Sequence, residues 1–144
     1  MLILLDSSGD HTKTRAEELK QTGNDLVKQK KYAEAVHAYT KAIQLNPTSI
    51  YYRNRSVANL KLGRFDDALE DSTHSIQIGE KYSNGYRSRA DVHMALQQYQ
   101  LALQDYVRAR EIDPSNPQLS GLITKCKQHL QTKGKIFIIL MWVY

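Results

Sequence analysis

A single cysteine, Cys126, stands in 144 residues. It can close no internal disulfide, which excludes a small stapled secreted scaffold and suits a reducing, cytoplasmic compartment. The five histidines, His11, His37, His74, His93 and His129, are scattered, and no Cys/His set has zinc-ligand spacing, so neither metal nor cofactor is expected. There is no glycine-rich phosphate cradle, no nucleophile motif beside a base, and no carboxylate pair that spacing brings together, so an enzyme is not expected. Long apolar runs are missing too. Met1 to Leu5 has no basic residue before it and ends at Asp6, which does not make a signal peptide. The stretch from Ile136 to Tyr144 reaches about 14 Å as a helix, roughly half of a bilayer core near 30 Å, so no membrane span is expected. A net charge of +5 is modest for this length.

What the chain does have is a repeated pattern. From Ala16 to Pro47 it reads as two helices. Leu19, Gly23 and Leu26 share one face of the first, with small Gly23 where another backbone can come close. Tyr32, Ala35, Val36, Tyr39, Ala42 and Ile43 share a face of the second. Lys28-Gln29-Lys30-Lys31 is a short polar turn between them, and Asn46-Pro47 closes the unit. Tyr32, Phe65 and Tyr99 then form one column, and Ala35, Ala68 and Ala102 another, at spacings of 68 − 35 = 33 and 102 − 68 = 34. Leu19, Tyr52 and Tyr86 form a third column, and small Gly23, Ser56 and Ala90 a fourth. Tyr39, Ser72 and Tyr106 follow, then Ala42, Ser75 and Ala109, then Pro47, Glu80 and Pro114. Only Glu80 breaks the proline, and Gly79-Glu80-Lys81 is expected to be a looser joint.

A period near 34 with these columns resembles the tetratricopeptide repeat family. The resemblance implies an all-α, right-handed superhelix of three helix-turn-helix repeats plus a C-terminal capping helix, with the first helix of each pair lining the concave side. The domain is expected over 15–133. Its repeats fall at about 16–48, 49–82 and 83–116, and the capping helix at 117–133 starts at Asn116-Pro117. Residues 1–14 read as a disordered leader, with the first helix starting near Thr14. Leu119, Leu122, Ile123, Cys126 and Leu130 form the stripe that covers the last repeat, so Cys126 is a packing residue. His93, in the column of Leu26 and Asn59, is a packing histidine. The apolar run in 134–144 reads as an atypical tail, from splicing or truncation of a longer protein, and as an aggregation liability.

The chaperone-binding branch of this family clamps the C-terminal carboxylates of peptides ending in an EEVD-like acidic tail with five side chains. By resemblance the first three are Lys20, Asn24 and Asn54. The last two, a lysine and an arginine in the family, fall on Asn84 and Ser88. The charge can come from elsewhere, because Lys20, Arg53 and Arg87 share one column and Arg87 and Arg89 flank Ser88. Guanidinium groups there could hold a carboxylate bidentately. Val57, Leu60 and Met94 are the expected apolar groove contacts.

The expected function is therefore a non-catalytic, monomeric, co-chaperone-like adaptor gripping acidic C-terminal tails of heat-shock chaperones. The alternative is a general scaffold that binds another protein without a carboxylate clamp. Nucleic acid is not expected, since the charge is modest and Tyr52 and Tyr86 stand in a packing column.

Overall fold

In the computed structural model residues 8–143 are described, and they form seven α-helices with no strand among them. They run α1 (Ser8–Lys28), α2 (Tyr32–Leu45), α3 (Ser49–Lys61), α4 (Phe65–Ile78), α5 (Ser83–Ala95), α6 (Tyr99–Ile112) and α7 (Pro117–Val143). Helices pair as α1 with α2, α3 with α4 and α5 with α6, and each second helix packs on the first helix of the next pair.

The turn inside each pair has a single chemistry. Lys30, Gly63 and Gln97 stand in one column and take φ of 61°, 72° and 58°, the left-handed cap that ends a helix. The following amides reach back over the turn: Lys31 to the Leu26 carbonyl, Arg64 to Asn59 and Gln98 to His93, at 2.8–3.0 Å. Only one of the three is glycine, so the fold holds two side chains in a conformation that costs little only for glycine. Side-chain caps start two of the later helices. Thr48 Oγ1 accepts from the Tyr51 amide at 3.2 Å, and Asn116 Oδ1 from the Gln118 amide at 3.1 Å.

The repeat columns are the core. Ala16, Ala35, Ala42, Ala58, Ala68, Ala90, Ala102 and Ala109 are fully buried. Small residues at these crossings let helices approach while large neighbours fill the space between them. A Cβ added to Gly23 would lie 2.5 Å from the Tyr39 ring, which explains the small residue there. In the second repeat both members of that pair are serines: Ser56 donates across to the Ala68 carbonyl of α4 at 2.7 Å and Ser72 to the Leu69 carbonyl of its own helix at 3.0 Å.

Three expectations need correction. Residues 8–14 belong to α1, which starts at Ser8, while residues 1–7 of the expected leader lie outside the described residues. The joint at Gly79 is closed rather than loose. A Cβ there would meet Ser49 Oγ at 2.9 Å, and Ser75 Oγ donates to the Ser49 carbonyl at 2.7 Å. Glycine thus does at this joint what Asn46-Pro47 and Asp113-Pro114 do at the others. Finally, α7 does not stop at Lys133 but runs unbroken through Gly134 to Val143.

The first half of α7 behaves as expected of a cap. Leu119, Ile123 and Cys126 are buried against α6, and burial pushes the Cys126 thiol above its ordinary pKa. Ser120, Thr124 and Lys127, away from that stripe, are exposed. His129 stacks on Tyr99 with ring centroids 4.6 Å apart, and Lys133 Nζ donates to the Gln97 carbonyl at 3.3 Å. Those contacts lie at the start of α6 and the turn before it. Beyond them residues 134–142 are exposed, with nothing packed on them among the described residues.

Candidate functional site

First helices of successive pairs, α1 with α3 and α3 with α5, pack directly on one another, and the second helices scarcely do. First helices therefore line the inner, shorter side of the curved array. On that side a cleft of about 380 Å³ is lined by Gln21, Asn24, Val27, Lys28, Tyr39, Arg53, Asn54 and Val57.

Asn24 is the centre of the cleft's hydrogen bonding. Its Oδ1 accepts from the Tyr39 hydroxyl at 2.8 Å and from Asn54 Nδ2 at 3.2 Å. Asn54 Oδ1 in turn accepts from Arg53 Nη1 at 3.2 Å. Burial pushes the Tyr39 hydroxyl up to about 12, with Arg53 acting against it, so the group stays a donor at ordinary pH. The chain Tyr39–Asn24–Asn54–Arg53 thus fixes two amides and a guanidinium without using up the guanidinium's other donors. Lys20, less exposed at 19%, pairs with Glu17 one turn earlier, and this pairing holds the Glu17 carboxyl below its ordinary pKa. Glu17 also accepts from the Tyr51 hydroxyl at 3.0 Å. A carboxylate arriving at Lys20 must displace Glu17 or share the ammonium with it.

The column of Asn24 continues through Val57 to Asp91, and its chemistry follows the residue beneath. Tyr106 donates its hydroxyl to Asp91 Oδ1 at 2.5 Å, as Tyr39 does to Asn24. The second repeat has Ser72 in place of the tyrosine, so no hydroxyl reaches up, and valine stands there. Burial raises the Asp91 carboxyl above its ordinary value, opposed by the Tyr106 hydroxyl and then by Arg87, Arg53 and Lys61. This groove acid was not foreseen. Its signal in the sequence is the column Asn24, Val57, Asp91 at spacings of 33 and 34.

Arg87 forms no hydrogen bond or ion pair among the described residues, and the Nε atoms of both Arg53 and Arg87 are buried without a partner. Arg89 stands elsewhere, which corrects its expected role. Its Nε and Nη2 grip both oxygens of Asp105 at 2.8 Å. One repeat earlier Arg55 holds Asp71 in the same way at 2.9 and 2.7 Å. These are pair-locking contacts between the two helices of a repeat. His93 joins the Arg89–Asp105 contact, with Nε2 3.9 Å from Asp105 and Nδ1 2.7 Å from Gln98 Oε1.

The two departures also have places. Ser88 is 2% exposed and donates to Ser56 Oγ at 3.1 Å, so it closes the α3–α5 contact and faces no ligand. Asn84 is half-buried. Of the expected apolar contacts, Val57 lines the cleft. Leu60 is half-buried on α3 and is not among the cleft's lining residues. Met94 is turned into packing with α7, its sulfur 3.1 Å from that of Cys126, and is no groove contact. No group of three or more metal-ligating side chains occurs among the described residues.

Paired helices at a period near 34, stacked with their first helices inward, define a helical-repeat solenoid with an inner groove. The chain belongs to the tetratricopeptide repeat family, whose models match residues 21–72 and 83–116. It is 39% identical over 126 residues to serine/threonine-protein phosphatase 5 of Mus musculus, covering 87% of this chain and 25% of that protein. The chain thus spans about a quarter of the length of that relative. Among solved structures, the first TPR domain of human RPAP3 superposes with a TM-score of 0.82 at 31% identity, over 85% of this chain and 98% of that one. The first TPR of Spaghetti (RPAP3), solved bound to the HSP90 peptide SRMEEVD, superposes with a TM-score of 0.77 at 32% identity, over 82% and 94%.

Proposed function

We propose that this chain is a non-catalytic, monomeric interaction module of the cytoplasm that grips acidic C-terminal tails of heat-shock chaperones in its groove. The observation that carries the reading is the ordered row of donors in the cleft. Asn54 and Asn24 are fixed to one another at 3.2 Å, with Arg53 on one side and Lys20 a turn away on α1. A terminal aspartate offers two carboxylates, and each charge-assisted hydrogen bond contributes roughly 1.5–3 kcal/mol. The similarity to a repeat domain solved with SRMEEVD supports the same ligand class.

The groove differs in its third repeat. Ser88 is buried and Asn84 is neutral, so Arg87, next to Ser88, one turn after Asn84 and unpaired among the described residues, is the cation left there for a second carboxylate. Asp91 on the same helix opposes any acid placed beside it. The acidic end of a tail is therefore held mainly by the first two repeats.

The test is fluorescence anisotropy of a labelled SRMEEVD peptide against the full chain, beside the same peptide amidated at its C-terminus. Micromolar binding that amidation abolishes supports the reading. Binding indifferent to amidation, in a protein shown to be folded, refutes it. The alternative scaffold reading draws on Val27, Val57 and the Tyr39 ring in the same cleft, and it requires binding that hardly changes with salt.

A further inference from the structure

The second half of α7 presents a surface that the groove does not use. Ile136, Phe137, Ile138, Ile139, Leu140, Met141 and Trp142 are each 52–86% exposed. They are consecutive, so at 100° per residue they cover every side of the helix. A helix docking into a protein groove needs one apolar face and leaves the other in water, whereas a helix apolar all round calls for a medium that surrounds it. The same helix carries Lys125, Lys127, Lys133 and Lys135 and no acidic residue from Pro117 to Val143. Lys133 and Lys135 stand immediately before the apolar stretch. The lysines and the apolar stretch are thus arranged in the order of headgroups and acyl chains.

We propose that α7 docks this protein on an anionic membrane surface, with Ile136–Trp142 inserted in one leaflet and Lys133 and Lys135 at the phosphate level. Eight residues from Ile136 to Val143 reach about 12 Å, which fits within a single leaflet of a core near 30 Å. The helix does not cross, in keeping with the absence of any described helix long and apolar enough to span. Anionic lipid contributes through the lysines, each adding about fivefold to the affinity when close to the surface. The cap half of α7 stays packed on α6, so the repeat array stands on the membrane by its last helix.

Trp142 is the only tryptophan and is 86% exposed, so its emission reports on the tip directly. The full chain is titrated with vesicles of phosphatidylcholine alone and with about one third phosphatidylserine, and co-sedimentation is measured in parallel. The expected result is a blue shift and sedimentation at least tenfold stronger with phosphatidylserine, weakened by salt. A Phe137→Glu/Leu140→Glu variant, whose melting temperature stays that of the parent because both side chains are exposed, should lose both signals. No shift and no sedimentation with either vesicle overturns the proposal, and so does equal binding to neutral and anionic lipid. A blue shift that needs no lipid and grows with protein concentration also overturns it. That outcome would assign the tip instead to a second copy, in the open apolar groove of α1 and α2 lined by Leu19, Leu26 and Ala38, and Leu26→Asp would then abolish it.

Discussion

Replacing Asp71 by alanine tests what holds each helix pair at its angle. The Asp71 side chain is 5% exposed and that of Arg55 21%. Asp71 accepts two bonds from Arg55 and a third from Asn59 Nδ2 at 3.1 Å. Arg55 also donates from Nη1 to Thr40 Oγ1 at 2.9 Å, which ties α3 to α2 of the preceding repeat. Removing the carboxylate leaves a half-buried cation without its counter-ion and the Asn59 amide without its acceptor, and breaking such a pair costs roughly 3–5 kcal/mol. Arg55 can swing partly into water, so the lower end applies, about 3 kcal/mol. For a chain near 150 residues each kcal/mol lowers the melting temperature by about 2–4 °C, giving a fall of about 6–12 °C in a circular dichroism melt. Two companions make the result interpretable. Glu111→Ala removes a carboxylate from an exposed pair, Arg108 with Glu111, and should change stability by no more than about 0.5 kcal/mol. Arg55→Met/Asp71→Leu should recover most of the loss, because an apolar pair of similar volume avoids desolvating two charges. If Asp71→Ala melts no lower than Glu111→Ala, the buried pair carries no stability and does not hold the helix pair at its angle.

Other outcomes follow from the groove and the tail. Tyr39→Phe removes the donor to Asn24 and should cost about 1 kcal/mol in a urea titration. It should also weaken the acidic peptide, since Asn24 loses its orientation; unchanged peptide affinity would mean that Asn24 orients without it. Asp91 is an acid whose folded pKa lies above its unfolded value near 3.8. The folded state therefore holds that proton more tightly, and the contribution of Asp91 to stability falls as pH rises through that window. Asp91→Asn should gain in melting temperature relative to the parent as pH goes from below 4 to 7, while a constant difference would remove Asp91 as the cause. Deleting Ile136 to Tyr144 should move the melting temperature by less than about 0.5 kcal/mol equivalent, because residues 136–142 are exposed. A large loss would show that the tail packs.

Columns at spacings of 33 and 34 are a one-dimensional property, and they were enough to place every helix pair, the first turn at Lys28–Lys31, and the cap that buries Cys126. Each repeat contacts chiefly its neighbours, so the pattern of one unit nearly specifies the array. The column Lys20, Arg53, Arg87 was legible for the same reason, and of the three Arg53 lines the cleft. Partner choice was not. Arg87 and Arg89 are two residues apart on one helix, about 200° around its axis, and nothing in the string says which faces the groove. Asp105, sixteen positions away on α6, takes Arg89, just as Asp71 takes Arg55. Likewise Ser88 reads as a missing arginine in the sequence, but in space it is the serine that lets α5 close on Ser56. Met94 goes to Cys126 because α7 covers that side. The sequence by itself determined periodicity, pairing and the capping face, since these depend on local spacing and apolar burial. Which charged side chains neutralise each other, and which stay unpaired among the described residues, was settled only in three dimensions, because an ion pair depends on distances between helices that sequence spacing does not contain.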